Sequence, residues 1–390
     1  MTICILGRQP EIGLAELEAL YGPTAVHPAG DSCAIIKEPV SFERLGGSVK
    51  AASLLATLPT TDRRALFKQL PKLVSKVVAT MPQTGKIKLG ISLYGFELSP
   101  YELGGEALRL KKIIRATGRS VRVVPNEAPA LSSAQTFHNS LATELGLEIV
   151  LVRDENQTRI GRVTHVQNID AYRIRDRDRP KRDAFVGMLP PKLAQSIVNL
   201  AVGVDTTHPV TLLDPFCGTG VVLQEALLCG YNVYGSDISQ KMIDYTTTNL
   251  QWLQEGRITK ETGEIRLETA DATDHIWRQP LSVIACEGYL GQPLGGQHPT
   301  AEKVHTIVHD CNTVMRDFLK NIAPQLTKGT RLCIAMPAWY VNDTLHRLPI
   351  VEEFDRLGFN RLTFTHASTP LVYRRDDQIT ARELVVLVKN

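Results

Sequence analysis

Residues 210–220 read VTLLDPFCGTG, and residues 231–237 read YNVYGSD. Val210, Thr211, Leu212 and Leu213 are aliphatic or β-branched, which predicts a short buried strand with Asp214 at its carboxyl end. Pro215 has no N–H to continue a ladder, so the strand stops there. Gly218 and Gly220 carry no Cβ, and a turn built on them lets backbone N–H groups approach a ligand before an apolar helix over Val221–Leu228. Gly230 closes that helix. A second strand, Tyr231–Ser236, then delivers Asp237 to its own carboxyl end, 23 residues after Asp214. The pattern is a βαβ unit with an acidic group where such units hold ribose hydroxyls.

The glycine turn lacks a full G-x-G-x-x-G run, because Val222 and Leu223 follow Gly220, and this argues against a pyrophosphate on the helix N-terminus. Asp214 instead offers a carboxylate to a cationic or amine-bearing ligand. DPFCGTG followed by GSDIS resembles the nucleotide-binding motifs of class I S-adenosylmethionine-dependent methyltransferases. The resemblance implies a Rossmann-like α/β domain of about seven strands and S-adenosylmethionine as cofactor. It places the loop of Asp214, Phe216, Cys217, Gly218 and Gly220 against the methionine part, Asp237 and Ile238 at the ribose, and Asp271 and Ala272 at the adenine. As a lone aspartate after a strand, Asp271 also reads as a helix cap.

With 390 residues the chain exceeds what a single core spans, so two or three domains are expected. Hydrophobic residues at 43% and charged residues at 22% fit a globular protein, and a net charge of +3 makes any nucleic-acid-binding surface local. No apolar run reaches membrane-spanning length and the N-terminus MTICILGRQP has no signal-peptide core, which predicts a cytoplasmic protein. Seven cysteines without a C-x-x-C pair read as reduced, mostly buried thiols, and no metal site is expected.

Before the methyltransferase-like region, residues 1–80 alternate strands (Thr2–Leu6, Cys33–Ile36, Val49–Leu58) with helices (Glu11–Leu20, Thr61–Thr80), predicting a small ferredoxin-like α+β domain. Pro82 and Gly85 mark a joint. Residues 81–170 alternate in the same way, with strands at Lys86–Tyr94, Ser120–Val124, Leu147–Val152 and Arg159–Ile169 and helices at Pro100–Thr117 and around Phe137–Leu145. Lys111, Lys112, Arg115, Arg119 and Arg122 fall within twelve positions with no acid between them. The run reads either as a solvated helix face or as a phosphate-binding face.

The segment RIGRVTHVQNIDAYRIRDRDRPKRDAFVGMLPPKLAQSIVNLA resembles the region joining a THUMP domain to the catalytic domain in tRNA guanine-N2 methyltransferases. The likeness is sharpest in Gly187–Ala201 and Asp214–Gly220. It implies a THUMP-like RNA-binding domain at 81–170, a basic linker at 171–188 lining the cofactor pocket, a methyltransferase domain at 189–390, and transfer RNA as partner.

Downstream, helices at Gln240–Trp252, Thr300–Ile322 and Val351–Leu357 alternate with strands at Glu264–Thr269, Leu281–Cys286, Thr330–Met336, Asn360–Thr365 and Glu383–Val388. That is a doubly wound sheet whose site lies across the carboxyl ends of its first, second and fourth strands. After the fourth strand the resemblance leads to a D-P-P-Y or N-P-P-Y run, which orients the amine and stacks the base. This chain has Ala285, Cys286, Glu287, Gly288, Tyr289, Leu290, Gly291, Gln292 and Pro293. Tyr289 keeps the aromatic and Glu287 keeps a carboxylate, whereas alignment on the tyrosine puts Cys286 at the acid's position. Four readings stay open: Glu287 replaces the acid, the substrate is not guanine N2, catalysis is lost and transfer RNA binding kept, or Cys286 is a nucleophile for carbon methylation. A DNA amino-methyltransferase would share the catalytic architecture without needing the N-terminal half.

Overall fold

The computed structural model describes the chain except residues 184–188, 205–209, 257–262, 292–300, 342–343 and 376–377. Its contacts separate two compact units: residues 1–14, 23–43 and 47–171, and residues 15–22, 44–46 and 172–390.

The first unit is built on one sheet whose strands are β1 (Thr2–Leu6), β2 (Val26–Ala29), β3 (Cys33–Ile36), β4 (Ser48–Leu58), β5 (Ile87–Tyr94), β6 (Val121–Val123), β7 (Gly146–Asp154) and β8 (Gln157–Val166). Among the described residues the order is β2-β3-β1-β4-β8-β7-β5-β6. The stretches expected as separate domains at 1–80 and 81–170 therefore share a sheet. The reason is β4, an 11-residue strand that pairs antiparallel with β1 along one edge and with β8 along the other.

Helices α1 (Pro10–Tyr21), α2 (Arg63–Thr80), α3 (Pro100–Ala116) and α4 (Ser133–His138) complete this half of the chain. Asp62 caps α2 by accepting from the Ala65 N–H at 2.7 Å. Ser99 and Glu102 form a capping box on α3. Leu66, Leu70, Val74, Leu103, Ala107 and Leu110 bury the inner faces of α2 and α3 against β5 and β7. The fourth helix lies earlier than the 137–145 stretch expected, because Ser132 and Gln135 make a second capping box that starts it at Ser133.

After the short α5 (Ile169–Arg173) come α6 (Pro191–Val202), β9 (Thr211–Asp214), α7 (Val221–Leu228), β10 (Asn232–Asp237), α8 (Gln240–Gly256), β11 (Ile265–Thr269), β12 (Val283–Glu287) and α9 (Ala301–Ile322). The C-terminal strands are β13 (Arg331–Val341), β14 (Thr344–His346), β15 (Phe359–Arg361), β16 (Leu371–Tyr373) and β17 (Thr380–Lys389). The main path runs β11-β10-β9-β12-β13-β17-β15, with β14 on β13 and β16 on β17. Seven strands on the path match the expected doubly wound sheet, and the two short additions are new. The helix expected near Val351–Leu357 is instead two short 3-10 turns, Pro349–Glu352 and Phe354–Leu357.

β9, β10, β11, β12 and β13 are mutually parallel, whereas β17 enters antiparallel between β13 and β15. Chain order reverses between β9 and β12, which opens a crevice beyond their carboxyl ends. The core there gathers Leu213, Trp277, Ile284, Cys286, Met315 and Phe318.

Among the described residues no helix is long and apolar enough to cross a membrane. Six cysteines are buried and Cys229 is partly so.

Candidate active site

β9 carries Asp214 to the crevice and buries it. Its Oδ1 accepts from the Phe216 N–H at 3.1 Å, folding the loop back over the strand end. Burial raises the Asp214 carboxyl well above the usual range. The Phe216 N–H opposes that rise, while the charges of Asp237 and Glu287 add to it.

The loop then meets the neighbouring strand. Cys217 N–H donates to the Ser236 carbonyl at 2.9 Å, and Gly218 N–H donates to Asp237 Oδ2 at 3.0 Å. Asp237 Oδ1 accepts from the Ser239 N–H at 2.9 Å. Each carboxylate oxygen thus spends one lone pair on the backbone and keeps acceptor capacity for a hydroxyl. Burial raises the Asp237 carboxyl, and the two N–H groups oppose it.

Gly220 is required twice over: its φ is +82°, and a Cβ there would lie 2.9 Å from Thr246 Cγ2. Thr246 Oγ1 in turn donates to the Gly218 carbonyl at 2.8 Å.

The expected cofactor residues separate into those that face the crevice and those that support it. Ile238 is 72% exposed beside Asp237, an apolar surface available to a base. Phe216 packs edge-on to Phe318, with ring centroids 5.2 Å apart. The Cys217 side chain is buried and its thiol is pushed up by burial, so its backbone is the part that shapes the loop. Asp271 Oδ1 accepts from the Thr273 N–H at 2.9 Å and from its hydroxyl at 2.7 Å, closing a turn in a non-helical stretch, so it caps no helix. Ala272 is buried in the core, and its carbonyl accepts from Asn321 Nδ2 at 3.1 Å.

At the end of β12 the altered run takes a definite form. Glu287 reaches the crevice and forms an ion pair with Arg382 of β17. Burial raises its carboxyl, and the guanidinium opposes the rise. The next residue, Gly288, donates its N–H to the Ala335 carbonyl at 3.0 Å and has Met315 Sδ 2.9 Å from where a Cβ would sit. Tyr289 is 40% exposed at the mouth. Cys286 points the other way: it is fully buried in the core, and burial pushes its thiol well above the ordinary range. A thiol with no solvent access and no depressed pKa is not a nucleophile, which corrects that expectation. Gln292 and Pro293 lie outside the described residues, as does Gly187 of the linker.

The linker is fastened to this unit. Arg175 grips Glu225 of α7 through two hydrogen bonds of 2.7 and 3.2 Å and stacks on Tyr172 with its guanidinium carbon 4.4 Å from the ring centroid. Asn249 of α8 accepts from the Lys181 N–H at 2.9 Å and donates to the carbonyls of Lys181 and Thr219, each at 2.9 Å. Lys181 is therefore tied to the cofactor loop itself. Sequence reading missed Asn249, Thr246 and Arg382. No local motif marks them, and each acts across 28 or more residues.

In the first unit, Lys112 and Arg115 on α3 and Arg122 on the edge strand β6 are exposed, and Lys111 is half-buried. Arg119 is corrected: it is buried and donates to the Pro82 carbonyl at 2.5 Å, so it holds the chain rather than a phosphate. Among the described residues no group of three or more His, Cys, Asp or Glu could hold a metal.

Residues 179–338 match the family model described as RMKL-like, methyltransferase domain. The tRNA (guanine(10)-N2)-dimethyltransferase of Methanothermobacter thermautotrophicus is 31% identical over 189 residues, covering 47% of this chain and 50% of that protein. The enzyme of the same name from Pyrococcus abyssi is 44% identical over 64 residues, 16% of this chain and 18% of its own length. The matched segment thus spans half or less of these relatives. Among solved structures, TrmN from Thermus thermophilus covers 100% of this chain and 99% of its own at 18% identity and a TM-score of 0.51. A possible methylase from Clostridium difficile 630 covers 98% and 97% at 11% identity and a TM-score of 0.52. At these identities the structural likeness establishes the fold.

Proposed function

We propose that the chain is an S-adenosylmethionine-dependent methyltransferase acting on an exocyclic amine of a transfer RNA base, guanine N2 by its relatives' names. The carrying observation is the convergence of Asp214, Asp237 and Glu287 at the carboxyl ends of β9, β10 and β12. Three carboxyl groups converging in one crevice suit a sulfonium cation, whose charge would favour their ionised forms against the burial that raises them. The residues fit that cofactor further: Asp237 retains acceptor capacity for ribose hydroxyls, and the glycine turn leaves room beside the backbone.

When bound, S-adenosylmethionine supplies the methyl group from its sulfonium. Glu287 then accepts an N–H of the target amine, turning the nitrogen lone pair toward that methyl and stabilising the positive charge that develops on nitrogen. Its proton is lost only as the C–N bond forms, so position and charge matter more than basicity. Tyr289, half-exposed at the mouth, offers a flat face to an extruded base. We assign the exposed cations Lys112, Arg115 and Arg122, with Lys111, to phosphate contacts within a THUMP-like unit, and a transfer RNA substrate accords with a cytoplasmic protein.

A second reading is a transfer RNA-binding protein that has lost catalysis, favoured by the engagement of Glu287 with Arg382 and by Gly288 where the family pattern has proline. Incubating the protein with transfer RNA and labelled cofactor, then digesting to nucleosides for mass spectrometry, separates the two. Methylated guanosine is expected from the parent. Asp237→Ala should bind the cofactor more weakly by about 1.5–3 kcal/mol, the value of a charge-assisted hydrogen-bond pair, in calorimetry. Unchanged affinity in that variant defeats the cofactor assignment.

A further inference from the structure

We propose that Arg382 is a positioning residue that holds the Glu287 carboxylate in the orientation the target amine needs. The inference rests on the methyltransferase reading and deepens it. In the related motifs two prolines stiffen the backbone next to the acid, whereas Glu287 is followed by Gly288 and has one more rotatable bond than aspartate. A carboxylate so placed has to be restrained from elsewhere.

The sheet supplies the restraint. Glu287 lies opposite Ala335 of β13, and β13 places Pro337 opposite Arg382 of β17, so the guanidinium reaches Glu287 over the intervening strand. It binds through Nε to Oε1, and among the described residues the carboxylate makes no other hydrogen bond. One oxygen is clamped and Oε2 is left to accept an N–H. Arg382 is itself buried in a ten-residue strand. Its neighbour Glu383 does not compete for it. Successive strand residues face opposite sides, and Glu383 is held at 2.6 Å by both Arg347 and Arg361.

The pairing also keeps the acid ionised. Among the described residues the charged and titratable groups near Glu287 are Arg382 from β17 and Asp214 from β9, with Cys286 next to it in β12 on the opposite face. Burial disfavours the carboxylate, and Arg382 opposes that by charge and by hydrogen bond. Without the guanidinium the carboxyl titrates at higher pH, and the protonated acid cannot accept the amine N–H.

The experiment measures the pH profile of kcat for transfer RNA methylation in the parent, Arg382→Met, Arg382→Lys and Glu287→Gln, with cofactor affinity and thermal unfolding recorded for each. Arg382→Met is expected to lose on the order of tenfold or more of kcat at neutral pH, and to regain much of it as pH rises because the acid limb has moved up. Its KM for transfer RNA and its cofactor affinity should stay near parental. Arg382→Lys should keep the limb where the parent has it. Arg382→Met losing rate equally at every pH, or matching the parent at all of them, overturns the proposal while Glu287→Gln, if impaired, leaves the methyltransferase reading standing. Parental rates in Glu287→Gln, or no methylation by the parent itself, overturn the underlying assignment of Glu287 and this proposal with it. Should Arg382→Met not fold, Arg382→Gln takes its place under the same criteria: a reduced rate at neutral pH with the acid limb moved up supports the proposal, and a parental profile refutes it.

Discussion

Two glutamates, one in each sheet, meet opposite treatment. Glu148 on β7 is fully enclosed and its carboxylate holds three donors, with both oxygens engaged. Oε1 accepts from Lys50 Nζ at 2.6 Å and Ser92 Oγ at 2.7 Å, and Oε2 accepts from Thr136 Oγ1 at 2.6 Å. Lys50 also donates to the Leu131 carbonyl at 2.6 Å, so the ion pair ties β4, β5, β7 and the start of α4 into one body. Glu287 on β12 has Arg382 as its partner, a second carboxylate facing it from β9, and an opening to the crevice. A buried charge with protein donors on both oxygens is architecture. One left with spare acceptor capacity beside another carboxylate costs stability, and that cost is the mark of a place where a ligand completes the set.

The largest effect expected from this contrast is on the enclosed pair. Lys50→Met strands the Glu148 charge in an apolar interior, and chemical denaturation should show a loss of about 3–5 kcal/mol. A loss well under 1 kcal/mol would mean that Glu148 is as tolerant as a site carboxylate, and the contrast would collapse.

Next comes the division of labour between the two units. Changing Lys111, Lys112, Arg115 and Arg122 to glutamine should lower the salt dependence of transfer RNA binding by roughly one unit of slope per lost contact, with cofactor affinity unaltered. Equal slopes in variant and parent would return these side chains to a solvated helix face. Arg119 is left out of the set because it is committed to Pro82.

The smallest effect carries a sign. The folded-state pKa of Asp214 is raised above its unfolded value, so its contribution to stability is present below the unfolded pKa and is lost as pH rises through the folded one. Asp214→Asn keeps the acceptor for Phe216 N–H and removes that loss. The variant should be more stable than the parent near neutral pH, with the gain vanishing toward about pH 4, where the unfolded carboxyl titrates. Stability that falls at neutral pH instead would show that Asp214 is a structural acid like Glu148.

Much of this is legible in the chain alone. Helix α7 can be read to the residue, because an αL glycine precedes it and Gly230 follows it. The strand ends at Asp214 and Asp237 follow from the aliphatic run before Pro215 and from Tyr231–Ser236, whereas β12 runs one residue past the expected Cys286 to Glu287. Such signals are local: a few adjacent side chains set backbone preference and face. The displaced α4 has a local signal too, in Ser132 and Gln135, which apolar periodicity outweighs.

What sequence could not supply was any pairing decided by strands meeting at a distance. That β4 would join two expected domains into one sheet depended on both its edges finding partners, and hydrogen-bonded edges leave no trace in composition. Arg382 lies 95 residues from Glu287, and its charge looks like any other until β17 inserts beside β13 and fixes the register. Cys286 and Glu287 are adjacent in sequence, yet the two-residue period of a strand sends one into the core and the other to the crevice. The sequence determined which chemistry was present at the strand ends, because residue type and local propensity are written there. Only the tertiary structure decided which acid keeps an oxygen open, because burial and partners arise when distant strands close the sheet.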